Sequence, residues 1–183
     1  MHPTPRVETI WTERLELVPL RPRFVDAMVA GDGATAGAEI GARVGRWLMS
    51  DSTHLVQLHV AQQRGEANGF PGLGRVIVLA ATRGGRRMIG SVGFHGIPDE
   101  RGRMELGCRI HPAHRGRGYA AESMIALIDW ATASFGVTRF LAVVSSHPAS
   151  GDIVSLEIAN GQRAPSDQQV GDMASLVELF ERP

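Results

Sequence analysis

Residues 109–124 read RIHPAHRGRGYAAESM. The stretch has the pattern of a strand end, a loop holding Gly116 and Gly118 between basic residues, and a helix start. A helix N-terminus leaves its first backbone N–H groups unpaired and carries about half a positive charge. Glycines let that backbone adopt positive φ and come close to a ligand. Together they make an anion cradle, with Arg115 and Arg117 adding charge at its rim. A plain flexible basic turn is the other reading of the same residues.

Two nucleotide templates fail here. A P-loop needs a lysine, and all nineteen cations of the chain are arginine. A dinucleotide fingerprint matches in letters, G-x-G-x-x-A at Gly116, Gly118 and Ala121. Its context does not match. The segment HPAHR separates the strand from the first glycine, and the next strand ends VVSSHP with no acid to hold a ribose.

A third template fits in register. Arg115, Gly118 and Ala120 supply the Q/R-x-x-G-x-G/A motif that opens the main helix of the GNAT N-acetyltransferases. MELGCRIHPAHRGRGYAAES resembles the E-x-G-x-x-(I/L)-x-P-x-x-R-G-x-G-Y-A-x-E pattern of the branch typified by ribosomal-protein N-terminal acetyltransferases. TERLELVPL resembles that branch's opening strand, and GSVGFHGI its third strand. SLEIANG resembles its last helix. The resemblance covers most of the chain and is weakest at 31–72 and 147–172.

The resemblance implies acetyl-CoA as co-substrate, bound where two parallel strands splay apart, here 103–110 and 139–146. It places the cofactor along Cys108 and Ile110, with its pyrophosphate at Arg115, Gly116, Arg117, Gly118, Tyr119 and Ala120. Asp152, at the start of the last helix, joins that set by position, or acts only as a helix N-cap. The acceptor is a small-molecule or peptide amine that attacks the thioester directly, without an acyl-enzyme. Glu105 matches the Glu of E-x-G and is the implied base, although the same carboxylate could simply pair with Arg103 or Arg109. Ser155 matches the serine of N-x-x-S in the last helix and is the implied acid. Trp47 falls where relatives build the acceptor pocket. Asp152 stands where Asn is usual, and no tyrosine lies in the last helix. Both departures favour an alternative, a catalytically degenerate acyl-CoA-binding module. Cys108 could instead carry an acyl group, but no base partner is assigned to it.

These residues need a scaffold. ERLELVPL alternates as a strand. RPRFVDAMVAGD reads as a helix with Phe24, Val25 and Met28 inward. Residues 34–49 and 53–66 are further helices, and 66–74 is a Gly/Pro loop. RVIVLAATR and RRMIGSVGFHGI form a hairpin about Gly84–Gly85, with a solvated basic tip. A strand at 102–110, a helix at 118–135 and a strand at 139–146 make a parallel unit. A helix at 151–161 and two strands in 163–181 close the chain. The expected fold is a single α/β (α+β) GNAT-like domain spanning 1–183. Its sheet is mixed and mostly antiparallel, with one splayed parallel pair and helices on both faces. Trp11 is assigned to the core.

Composition limits the partners. The chain has 183 residues, enough for a core, and its charge balances at 19 against 19. That argues against a dedicated nucleic-acid or membrane-surface binder. One cysteine, Cys108, excludes an internal disulfide. No apolar run approaches the ~20 residues needed to cross a bilayer, and the N-terminus has no signal-peptide core. A cytoplasmic monomer or homodimer is expected. His111 and His114 lack a clear third ligand, so no metal is expected.

Overall fold

A computed structural model describes residues 7–50, 52–82, 84–145 and 153–159. One sheet carries β1 (Ile10–Trp11), β2 (Leu15–Pro19), β3 (Gly74–Thr82), β4 (Gly85–Phe94), β5 (Arg103–Ile110), β6 (Arg139–Ser145) and β7 (Ile153–Ala159), side by side in chain order. Every neighbouring pair is antiparallel except β5 and β6. A parallel pair needs a crossover, and α5 (Tyr119–Phe135) provides it.

Helices cover both faces, as the alternation requires. Ile77 of β3 is fully buried against the α5 side, together with Leu15, Leu17, Met104, Leu106, Met124 and Ile128. Val76 and Val78 point the other way. They pack with α1 (Pro22–Val29), α2 (Gly33–Ile40), α3 (Arg46–Ser50) and α4 (Thr53–Ala67), through Phe24, Met28, Ile40, Leu48 and Leu58. Each such side chain contributes ~1.5–3 kcal/mol on burial. Residues on β5 therefore sort cleanly. Met104, Leu106 and Ile110 enter the α5 core, and Glu105, Gly107 and Arg109 take the face of the first four helices.

The structure departs from expectation at four places. The helix expected over 34–49 is two helices. Gly41 sits at φ +60 and ends α2, and Arg43 then bridges to Arg87 of β4 before α3 begins. Residues 153–159 form β7, not a helix, so Ser155 lies on a strand paired with Val143. Ile153, Val154 and Ile158 are β-branched, and the exposed edge of β6 supplies the partner that local pattern cannot reveal. Trp11 is 69% exposed on the edge strand rather than in the core. Arg86, expected as part of a solvated tip, donates to the buried carboxylate of Glu16. Asp152 and the segment 163–181 lie outside the described residues.

The parallel pairing is short. The β5–β6 ladder pairs Arg103 with Arg139 through to Leu106 with Ala142, and there it stops. Beyond that point β5 continues to Ile110 paired only with β4, while β6 continues to Ser145 paired with β7.

Candidate active site

The glycine loop meets α5 in the form the motif demands. Gly116 and Gly118 have φ of +67 and +75, values that favour glycine. Gly118 is the N-cap of α5, and no side chain caps the helix. Its first amides thus face outward with their partial positive charge. The space before Gly116 is open, since a Cβ there would meet nothing within 4 Å. The chemistry of this donor set suits a diphosphate. Arg115 turns back to donate from Nε to the Ile110 carbonyl at 3.0 Å, which fixes the loop to the end of β5. Arg117 is exposed, and Tyr119 and Ala120 are buried at the helix root.

Two separated sequence motifs hold this helix start together. Thr12 Oγ1 donates to Glu122 Oε1 at 2.6 Å, and Arg14 Nε donates to Glu122 Oε2 at 2.7 Å. Arg14 also donates to the Arg117 carbonyl at 2.9 Å and lies 4.6 Å above the Tyr119 ring. Burial opposes the charge on Glu122, but the hydrogen bonds from Thr12 and Arg14 prevail and hold its carboxyl below the usual range. Cys108 points to the α5 side, where its Sγ lies 3.6 Å from Ser123 Oγ. Ile110 is buried in the same core.

Glu105 stands on the opposite face, beside the point where the β5–β6 ladder ends. Its carboxylate is half exposed and does not pair with Arg103, which binds Asp99 at 2.9 Å. It meets His95 instead, Oε1 to Nδ1 at 2.9 Å. His95 stacks edge-on to His54 of α4, centroids 5.7 Å apart, and His54 Nδ1 lies 2.8 Å from Ser91 Oγ. Burial, reinforced by His95, pushes the His54 imidazole down to about 4. Gly107 makes room for this group, because a Cβ there would lie 2.8 Å from both Cε1 and Nε2 of His95.

Trp47 lies on the same face, farther along β5. Its ring meets His111 edge-on at 4.8 Å, and the Arg109 guanidinium sits 5.6 Å above it. Burial first, then Arg115, lowers the Arg109 pKa. Glu105, Gly107, Arg109 and Trp47 thus line one face, with the glycine loop at the far end of the strand. The Gly/Pro loop after α4 is elsewhere. Phe70 packs on Phe135 at 4.9 Å and Leu73 is fully buried, at the opposite end of α5 from Gly118. A cavity of about 370 Å³ bounded by Trp11, Glu16 and Arg86 is likewise remote, at the β1–β2 edge.

Sequence reasoning overlooked His54, Ser91 and His95. His95 had a signal: Phe94 precedes it on a strand, so the next side chain faces away from the α5 core. His54 and Ser91 had none, since only packing of α4 on β4 brings them together. Among the described residues no group of His, Cys, Asp and Glu could hold a metal, and no helix is long and apolar enough to cross a membrane.

The comparisons with known proteins agree on one family. The profile described as Acetyltransferase (GNAT) domain matches residues 14–154. An uncharacterized N-acetyltransferase of Bacillus subtilis, YjdG, is 30% identical over 132 residues, covering 72% of this chain and 76% of that protein. The uncharacterized N-acetyltransferase p20 of Bacillus licheniformis is 35% identical over 80 residues, 44% of this chain and 40% of that one. Among solved structures, RimL, a ribosomal L7/L12 alpha-N-protein acetyltransferase, aligns with TM-score 0.50 at 15% identity, covering 93% of this chain and 80% of its own. That likeness concerns the fold alone.

Proposed function

The chain belongs to the GNAT acetyltransferase family, and from that premise we propose that it moves the acetyl group of acetyl-CoA to a primary amine by direct attack. The observation that carries this reading is the geometry of β5. The strand leaves its parallel neighbour after Leu106, holds Glu105 beside that point, and leads to a helix start that no side chain caps, preceded by glycines at positive φ.

Gly116, Gly118 and the first amides of α5 would bind the cofactor diphosphate, with Arg115 and Arg117 at the rim. Backbone N–H groups on the β6-facing edge of β5 past Leu106 would polarise the thioester carbonyl. The acceptor ammonium gives up a proton to a base that depends on Glu105, directly or through a group bonded to it. The amine nitrogen then bonds to the carbonyl carbon. The tetrahedral species collapses, the C–S bond breaks, and the sulfur leaves with the electron pair. Ser155 is the proposed donor of a proton to that thiolate. Its partner Val143 directly follows Ala142, the last β6 residue paired with β5. Trp47 would bound the acceptor, a small-molecule or peptide amine.

The test is acetyl transfer from acetyl-CoA to a panel of amines and peptides, followed by mass spectrometry. Products acetylated on nitrogen are expected. Glu105→Gln should lower turnover ~10²–10⁴-fold while leaving CoA affinity in place, and Ser155→Ala should lower it less because water can replace a hydroxyl. Wild-type turnover in Glu105→Gln would remove acid–base catalysis at this position from the mechanism.

A further inference from the structure

We infer that the atom meeting the acceptor ammonium is Nε2 of His95, and that Glu105 stands behind it as a positioning residue. This rests on the acetyl-transfer reading above and names the group that performs its first step.

The hydrogen-bond pattern selects the tautomer. An ionised carboxylate can only accept, so at 2.9 Å the proton of the neutral imidazole belongs on Nδ1. Nε2 then carries a free lone pair, and Glu105 stabilises the imidazolium that forms when this atom takes a proton. The residue is tethered twice, because its backbone N–H also donates to the Glu105 carbonyl at 2.8 Å.

The position of the ring is the second argument. Cε1 and Nε2 lie over Gly107, 2.8 Å from where its Cβ would stand. Gly107 directly follows Leu106, the last β5 residue paired with β6. The free nitrogen therefore sits at the opening of the splay, where a thioester carbonyl and its attacking amine would meet. The side chain of His95 is 30% exposed, so an acceptor can reach it.

The groups around His95 define its state. Glu105 faces it from β5 and His54 from α4. Nε2 of His54 is 3.4 Å from the same Gly107 position, but that ring is buried, anchored to Ser91, and neutral at physiological pH. Arg103, two residues from Glu105 on the same face, is held by Asp99. In the step itself, Nε2 takes H⁺ from R–NH₃⁺ and the amine bonds to the acyl carbon. CoA leaves as thiolate, the amide nitrogen loses its extra proton as the thiolate gains one, and the imidazolium releases the proton it took to solvent, leaving amide, thiol and H⁺.

The decisive measurement is the tautomer of His95 by long-range ¹H–¹⁵N NMR, alongside kinetics of His95→Gln, Glu105→Gln and the double variant. The proton should reside on Nδ1 in the wild type and redistribute in Glu105→Gln. His95→Gln should lose ~10²-fold or more in turnover and the acidic limb of the kcat/KM profile, with CoA affinity retained. The double variant should be no slower than His95→Gln, since the two groups act as one unit. A wild-type proton on Nε2 would overturn the inference, as would an unchanged profile in His95→Gln. Either result leaves the acetyl-transfer reading standing if the wild type still acetylates amines. A wild type that acetylates no amine overturns both.

Discussion

A single missing Cβ shapes the chemistry at residue scale. Gly107 belongs to the E-x-G motif, and its role becomes clear only once His95 is seen resting on it. Gly107→Ala would push the imidazole off that position, while the backbone of β5 still tolerates an alanine. Misplacement of a reacting group by ~1 Å costs up to ~10² in rate. Steady-state kinetics should show kcat reduced toward that extent with CoA binding unaffected. His54 makes a different contribution. Burial holds it neutral down to about 4, against 6.5 for an unhindered imidazole. The unfolded chain thus takes up a proton near pH 6.5 that the folded chain refuses. Stability from this group is complete above 6.5 and falls by about 3 kcal/mol as pH drops toward 4. Urea unfolding of His54→Asn, which keeps a polar partner for Ser91, should show a shallower loss between pH 7 and 5 than the wild type.

At the scale of elements, the start of α5 is the part under most constraint. Gly118 caps the helix at positive φ, where another residue costs ~1–3 kcal/mol and obstructs the approach of a phosphate. Arg117 offers one exposed charge, worth ~1 kcal/mol or less. Calorimetry should therefore find CoA binding weakened by roughly tenfold or more in Gly118→Val and much less in Arg117→Ala. Equal, small losses would mean that the helix start does not hold the diphosphate. The clamp from Thr12 and Arg14 to Glu122 explains why two motifs over a hundred residues apart occur in one chain. The turn between β1 and β2 anchors the start of α5.

For the whole molecule, the sheet opens between β5 and β6 past Leu106, and helices cover both faces around that break. A ligand that enters the break and ties β5 to α5 binds only the folded chain. At a hundred times its Kd it adds ~2.7 kcal/mol, which for a chain of this length raises Tm by roughly 5–10 °C. Thermal unfolding should show that shift with CoA and none with a nicotinamide dinucleotide. A shift with the dinucleotide alone would return the Gly116–Gly118 loop to the fingerprint rejected on context.

The sequence by itself determined the elements whose logic is local. Alternation marked β2 and β5, the period of α5 marked its buried face, and the glycine spacing marked the cradle. It also located Glu105 on the strand face away from Met104 and Leu106. It could not locate what depends on a distant partner. The seven residues after Asp152 become a strand because β6 offers an edge, whereas the sequence reads as a helix over 151–161. The division of 34–49 follows from Arg43 reaching β4, and Trp11 stays exposed because β1 is the sheet edge. The site shows the same division. Glu105 was legible from its motif, whereas its contact with His95, and that of His95 with His54, exists only because α4 packs on β4 and β4 pairs with β5. Side chains brought together by the burial of other residues leave no spacing in the sequence that records their meeting.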